Sequence, residues 1–137
     1  MSSTRQALQR GFTMIELIVV IVILGILAAT ALPKFIDVSA DAKDAALDGV
    51  AGAANSAMSI NYGGCSITAN VATDRKCVLI ATCDEVNNIL QGGTPAGYTV
   101  AATAIGTKAG DTIACTVTPD KPGNKATSTF TGIRTTP

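Results

Sequence analysis

The chain has 137 residues and a mass of 13.8 kDa, which is room for one domain. Ten Lys and Arg residues balance ten Asp and Glu residues, and a net charge of zero argues against a general nucleic-acid binder. The sequence has no histidine, which excludes histidine-based acid–base catalysis and removes the commonest metal ligand. Only 15% of the residues are charged and the mean hydropathy is +0.38, so we expect membrane contact rather than catalysis.

An apolar segment near the N-terminus carries most of this hydrophobicity. Residues 12–32 are twenty-one in number and include one ionisable side chain, that of Glu16. As a helix the segment would measure roughly 31 Å, enough to cross a hydrocarbon core of ~30 Å. Arg5 and Arg10 precede it, so the positive-inside tendency places the N-terminus in the cytoplasm and the residues after Pro33 outside.

A secretory signal peptide is the alternative interpretation of this segment. Ala29-Thr30-Ala31 has the form of a signal-peptidase site. Two features disfavour it: Glu16 carries a penalty that a signal peptide has no reason to include, and the helical pattern continues beyond the supposed cleavage site.

An amphipathic helical pattern follows from residue 35 onward. Asp37, Asp41, Asp44 and Asp48 share one strip, which we interpret as solvent-exposed, with contact to cations on a partner as the alternative. The helix is predicted to end near residues 61–64, where two glycines supply a stop signal. The small and apolar side of the pattern recurs at steps of mostly three, four or seven: Phe35, Val38, Ala42, Ala45, Ala46, Ala53, Ala57 and Ile60.

These residues carry a resemblance to a known family. The sequence RGFTMIEL at residues 10–17, followed by IVVIVILGILAATALPKF, closely resembles the N-terminus of bacterial type IV pilins. The stretch DAKDAALDGVAGAANSAMSINYG at residues 41–63 is similar to pilins of the mannose-sensitive haemagglutinin type, a type IVa-like group of major pilins. The GFTxIE signature is shared with the pseudopilins of type II secretion.

The resemblance implies processing and a role for one acidic residue. A prepilin peptidase would cut between Gly11 and Phe12, removing residues 1–11 as a leader, and would methylate the new amine of Phe12. The matching Glu16 would offset the terminal ammonium of a neighbouring subunit and so set the axial register of a filament. The alternative for Glu16 is an acidic side chain at the membrane interface.

Gly25 and Pro33 bracket the weakest part of the apolar helix. Glycine lowers helix propensity, and proline cannot donate to the carbonyl four residues earlier. In the family the matching segment can lose helicity when subunits pack. We therefore hypothesise that residues 26–32 extend in a filament, with an ordinary proline kink as the alternative.

The residues after Gly64 predict a small β head, which makes the fold α+β: a long N-terminal helix, apolar and then amphipathic, packed on a three- or four-stranded antiparallel sheet. The predicted elements are a strand at 78–82, a short helix at 84–90 capped by Asp84, a hairpin of strands 98–105 and 112–118 around residues 106–111, and a strand at 128–133 after a turn at 119–124.

Four cysteines follow the apolar segment, in an oxidising compartment if the topology is right. Their spacing matches no zinc pattern, so we expect two disulfides and neither a metal nor a cofactor. Three connectivities are possible. We prefer Cys65–Cys77, closing the loop after the helix, and Cys83–Cys115, tying the short helix to the sheet.

The resulting hypothesis is a structural pilin, not an enzyme, with segments 1–11, 12–34, 35–62 and 63–137 as leader, membrane and filament-core helix, amphipathic helix and β head. The resemblance implies a homopolymer used for attachment or motility, with prepilin peptidase and an inner-membrane assembly machinery as partners. The subunit would lie in the inner membrane before it joins an extracellular pilus. The alternatives are a pseudopilin, or a minor pilin acting as an adhesin or DNA receptor through Lys108, Lys121, Lys125 and Arg134, which we interpret as scattered surface charges.

Overall fold

A computed structural model describes residues 11–137, except for the side chains of Ile36 and Asp37. Arg5, Arg10 and the rest of the predicted leader before Gly11 lie outside the described residues. The elements are helix α1 (Met14–Ile67), a 3₁₀ helix (Cys83–Asn88), and strands β1 (Tyr98–Val100), β2 (Thr112–Pro119) and β3 (Ser128–Ile133). The chain divides between Asp37 and Val38 into two compact units, and α1 contributes to both.

The N-terminal unit is helical from Met14 onward, and its apolar side chains are exposed. Phe12 is 82% exposed, Leu24 is 57% exposed and Leu32 is 63% exposed. Within the described residues, α1 is the one helix that is long and apolar enough to cross a membrane. The helix runs without interruption through Gly25 and Pro33.

In the second unit α1 packs on the head through larger side chains than the Ala-rich pattern indicated. Its buried residues follow steps of four and three: Leu47, Ala51, Ala54, Met58, Asn61 and Cys65. The Ala-rich side faces away from this core, and Ile60 on that side is 76% exposed. Burying Leu47 and Met58 removes more apolar surface from water than burying alanines, which decides the orientation of the helix.

The predicted end of α1 at residues 61–64 is wrong, because the helix continues to Ile67. Gly64 does not stop the helix. It lets the backbone of Lys76 approach so closely that a Cβ would clash with the carbonyl of Lys76. The helix ends instead where Ala69 and Asn70 adopt positive φ, and the Asn70 N–H donates to the carbonyl of Cys65 at 2.8 Å.

The sheet is three-stranded and antiparallel, in the order β1-β2-β3. Tyr98 pairs with Pro119 across the first two strands, and Cys115 pairs with Phe130 across the last two. β3 has the predicted bounds, whereas β1 ends at Val100 instead of residue 105.

Two other predicted elements of the head are corrected. The short helix is a 3₁₀ helix that begins at Cys83, and its N-cap is Thr82 rather than Asp84. Residues 78–82 form no strand, although Thr82 makes an isolated bridge to Ala104. The core joins α1 to these elements through Leu47, Met58, Ile80, Val86, Ile105, Val117 and Phe130.

Candidate assembly site and the head that carries it

The predicted processing site lies just before α1. Gly11, Phe12 and Thr13 precede the first helical residue, and Phe12 is exposed. A Cβ placed on Gly11 would meet no atom within 4 Å. Packing in the described residues therefore places no demand for glycine at position 11.

Glu16 closes the N-terminus of α1 together with Thr13. Its Oε2 accepts hydrogen bonds from the Thr13 N–H at 2.9 Å and from the Thr13 hydroxyl at 2.8 Å. The Glu16 N–H donates in return to Thr13 Oγ1 at 3.3 Å. This reciprocal arrangement is a capping box. This capping box is not among the features predicted above, although Thr-x-x-Glu before an apolar run is a recognisable signal.

The segment between Gly25 and Pro33 has a weakened hydrogen-bond pattern. The Thr30 hydroxyl donates to the carbonyls of Leu27, at 3.0 Å, and Ile26, at 3.3 Å. Pro33 has no N–H for the carbonyl of Ala29. Hydroxyl bonds of this kind slightly destabilise and bend helices, so two independent features weaken this turn.

Buried polar side chains hold residues 78–82 in place of a strand ladder. Asn61 Nδ2 donates to the carbonyl of Val78 at 2.8 Å, and the Val78 N–H donates to Asn61 Oδ1 at 2.9 Å. The Ile80 N–H donates to Thr135 Oγ1 at 2.7 Å, and the Thr135 N–H donates to the Ile80 carbonyl at 2.9 Å. These bonds satisfy the backbone groups that a sheet neighbour would otherwise pair.

Three of the four acids in the predicted strip on α1 bind a loop of the same chain, while Asp41 and Asp48 also stay exposed as predicted. The side chain of Asp37, the fourth acid, lies outside the described residues. Asp41 Oδ1 accepts from Asn124 Nδ2 at 3.0 Å, and Asp44 Oδ1 accepts from the Lys125 N–H at 2.9 Å. Asp48 accepts from the Lys125 ammonium and from the Ser128 hydroxyl. We call this set of contacts the acidic clasp.

Charge and hydrogen bonding both favour the ionised forms of Asp48 and Lys125 in the acidic clasp. The hydrogen bonds from Lys125 and then Ser128 lower the pKa of Asp48 below its ordinary value of 3.8. The same contact with Asp48 raises the pKa of Lys125 above its ordinary value of 10.5. Lys125 is therefore engaged within the head. Lys121, a second member of the predicted set of scattered cations, lines a shallow hollow with Lys43.

The four cysteines form two disulfides in different parts of the head. Cys65 is joined to Cys77 across 12 residues, and Cys83 to Cys115 across 32 residues. The first pair links the last turns of α1 to the loop that follows it. The second pair links the 3₁₀ helix to β2, and all four residues are buried.

Comparisons with known proteins place these features in context. The model of the prokaryotic N-terminal methylation motif matches residues 7–32. The type IV narrow pilus major component PilA5 of Thermus thermophilus is 41% identical over 90 residues, covering 66% of this chain and 67% of that protein.

Further relatives match the N-terminal region alone. The type IV major pilin protein PilE of Neisseria gonorrhoeae and a fimbrial protein of Neisseria meningitidis are each 61% identical over 36 residues. These matches cover 26% of this chain and only 22% and 21% of the two relatives. No solved structure matches the chain significantly.

Proposed function

This chain belongs to the type IV pilin family, and from that premise we propose that it polymerises through its N-terminal helix into an extracellular pilus used for surface attachment or motility. Members of this family are structural subunits and not enzymes. The observation that carries the proposal is the long, predominantly apolar surface of residues 12–32, which the described residues leave largely exposed. Such a surface requires lipid or other apolar helices around it.

Moving this surface from lipid into contact with neighbouring helices should change its free energy little. Lipid tails and packed aliphatic side chains are similarly apolar, so helix association depends mainly on packing and on the satisfaction of polar groups. Glu16 is the ionisable side chain within the segment, and in the isolated chain Thr13 satisfies it.

In the filament we propose that Glu16 pairs with the terminal ammonium of Phe12 from a neighbouring copy. The Thr13 contacts leave the other carboxylate oxygen, Oε1, available for that cation. A mispaired register would leave both charges without a partner in an apolar core, which is costly. Charge pairing would therefore select one axial stagger.

The route to the filament begins with processing of the precursor. A prepilin peptidase cuts between Gly11 and Phe12 and methylates Phe12. The processed subunit then stays in the inner membrane with its head outside the cytoplasm. An inner-membrane assembly machinery then moves it into the pilus. The match of the methylation-motif model to residues 7–32 supports this route.

The test combines intact-mass analysis and N-terminal sequencing with electron microscopy of material sheared from the native host. We expect a chain that begins at N-methylated Phe12, carries two disulfides and occurs in filaments. A Gly11→Val variant should accumulate as precursor without filaments, whereas Gly25→Ala should be processed normally. A wild-type chain beginning at Leu32 would instead indicate signal-peptidase cleavage and refute the proposal.

A further inference from the structure

An apolar groove opens on the head beside α1. It has a volume of about 560 Å³ and lies between α1, the Cys65–Cys77 loop and the turn that follows the 3₁₀ helix. Its apolar lining includes Ala57 and Ile60 from α1 and Ile89 and Leu90 from the turn. Ile60 is 76% exposed, so the described part of the head leaves this surface largely uncovered.

Two cations stand on one side of the groove. Arg75 and Lys76 line it from the disulfide loop. Asp74 is the neighbouring acid, 3.6 Å from Arg75 in an ion pair whose side chains are both more than 90% exposed. Two positive charges against one negative charge leave the rim of the groove cationic. The exposed Asp74–Arg75 ion pair contributes little to stability, so Arg75 can exchange this partner for another.

A surface with the opposite properties lies on another part of the same unit. Val38 and Ala45 are exposed on α1 and seven residues apart, hence on one face, and Asp41 lies beside them. Among the described residues of the acidic clasp, Asp48 forms an ion pair with Lys125, whereas Asp41 and Asp44 accept hydrogen bonds from neutral N–H groups. The acidic clasp therefore has an excess of negative charge. Lys43 points to the other side of α1, since it is two residues from Asp41.

We propose that the groove of one copy receives the α1 surface formed by Val38, Asp41 and Ala45 of a second copy. Apolar side chains would meet the groove floor, and the acidic edge would meet Arg75 and Lys76. This inference deepens the proposed function and rests on it, because it assigns a subunit contact of the polymer to the head.

The placement of the two surfaces favours an open polymer over a closed dimer. Ala45 and Ala57 are twelve residues apart on α1, which is roughly 18 Å along the axis and roughly 120° around it. A contact between two different surfaces is heterologous, and it continues from copy to copy unless the rotation closes a ring. Each head would thus offer its groove to one neighbour and its acidic surface to another.

Site-specific photocrosslinking in assembled pili tests the contact. A photoreactive benzoylphenylalanine at Ile60, followed by mass spectrometry, should join residue 60 to residues 38–45 of another copy. The same probe at Ser59, one residue away on a different side of α1, should not react there. Normal pili in which residue 60 crosslinks elsewhere, or not at all, would overturn the inference alone. Absence of pili from the unsubstituted chain would overturn the proposed function as well.

Charge reversal gives a second, independent readout. Arg75→Glu with Lys76→Glu should lower the yield of sheared pili by about tenfold, and so should Asp41→Lys, because each juxtaposes like charges. Combining the reversals should restore most of the yield, while Lys108→Glu should leave it unchanged. The mass of the processed subunit with two disulfides serves as the folding check. Equal yields in all variants, or no recovery in the combined variant, would refute the charge pairing.

Discussion

At the level of single residues, Glu16 has two tasks that the structure allows to be separated. As part of the capping box it accepts hydrogen bonds from Thr13, and as a carboxylate it is proposed to meet a cation of another copy. The first task needs an acceptor oxygen, whereas the second needs a negative charge. Substitutions that remove one property and keep the other therefore distinguish the two roles.

We predict that Thr13→Ala frays the first turn of α1 without abolishing assembly. Loss of an N-cap side chain should accelerate amide hydrogen exchange at residues 14–17 roughly fivefold in detergent micelles. Thr13→Ser keeps the hydroxyl and serves as control. Glu16→Gln keeps an acceptor, so its exchange should stay near wild type while pilus yield falls. Equal loss of assembly in Thr13→Ala and Glu16→Gln would show that capping, not charge, is the limiting property.

Asn61 provides the second prediction at this scale. It is 8% exposed and binds both backbone groups of Val78. Asn61→Ala leaves the Val78 N–H without an acceptor, whereas the Val78 carbonyl keeps the Thr135 hydroxyl at 2.9 Å. The loss of one buried partner should lower the free energy of unfolding by about 1–3 kcal/mol. Asn55→Ala is the control, because Asn55 is exposed and accepts one bond, from the Thr131 N–H at 3.1 Å. Urea unfolding of the full chain in detergent measures the free energy of unfolding of both variants. Similar losses of stability in Asn61→Ala and Asn55→Ala would contradict the structural role given to Asn61.

These residues show where sequence reasoning stopped. Thr13 was recognisable from its spacing to Glu16, but Asn61 looked like any polar residue near a helix end. Its role depends on Val78, which is 17 positions away and packs against it only after folding. Lys125 likewise meets Asp48 across 77 positions. Side chains that bind distant backbone or charge leave no local periodicity to detect.

At the level of elements, the two disulfides should differ in their contribution to stability. In the chain-entropy model the 32-residue separation of Cys83 and Cys115 corresponds to about 3.7 kcal/mol, and the 12-residue separation of Cys65 and Cys77 to about 3 kcal/mol. The Cys83–Cys115 disulfide also contributes to the core, because Cys83 and Cys115 pack with Val117 and Phe130. Removing the Cys83–Cys115 disulfide should therefore lower the free energy of unfolding more than removing Cys65–Cys77.

The measurement is urea unfolding of two double variants, Cys83→Ala with Cys115→Ala and Cys65→Ala with Cys77→Ala. We expect the lower midpoint for the first. Peptide mapping of the unreduced wild type fixes which cysteines are joined and serves as the control. A larger loss on removing Cys65 and Cys77 would show that the loop after α1, not the sheet, limits stability.

The acidic clasp should make the loop that contains Lys125 sensitive to pH. The pKa of Asp48 is lowered, so its contribution is present above about pH 3.8 and is lost as the pH falls through the lowered value. The pKa of Lys125 is raised, so its contribution is present below about pH 10.5 and is lost as the pH rises through the raised value.

We therefore predict that acid releases the clasp before it unfolds the core. Asp48→Asn should remove part of the fall in unfolding midpoint between about pH 5 and pH 2, whereas Asp74→Asn, an exposed control on the disulfide loop, should not. Urea midpoints measured across this range in detergent decide the matter. Parallel curves for wild type and Asp48→Asn would show that the clasp contributes nothing.

The elements themselves were predictable where local chemistry decides them. β3 was found because alternating residues follow a Pro-Gly-Asn turn, and the apolar part of α1 because its composition allows no other structure. Residues 78–82 also looked like a strand, with the sequence VLIAT. Their backbone partners instead include the side chains of Asn61 and Thr135, a tertiary arrangement that strand propensity does not encode.

At the level of the whole molecule, the two units satisfy their apolar residues in different ways. The second unit has its own core, with Ile80, Val86, Ile105 and Val117 fully buried. The first unit has no such core among its described residues, and under the proposed function its apolar side chains would be covered by lipid or by other copies. The likeness to pilins of the mannose-sensitive haemagglutinin type stays a prediction from the sequence. Family membership itself rests on the relative that is 41% identical.

Residues 26–32 are predicted to change conformation when the subunit enters the filament. Seven helical residues span roughly 10 Å, whereas the same residues extended span roughly 23 Å, so melting would lengthen this segment by about 13 Å. Pro33 has no N–H to donate to the carbonyl of Ala29, and the Thr30 hydroxyl donates to the carbonyls of Ile26 and Leu27. We expect reconstructions of wild-type pili to show the extended form, and Pro33→Ala with Thr30→Ala to show a helix throughout. Leu17→Ala, in the first turns of α1, is the control and should leave the segment extended. An unbroken helix from Gly25 to Phe35 in wild-type pili would mean that lateral packing outweighs both local defects, and that Pro33 only bends the helix.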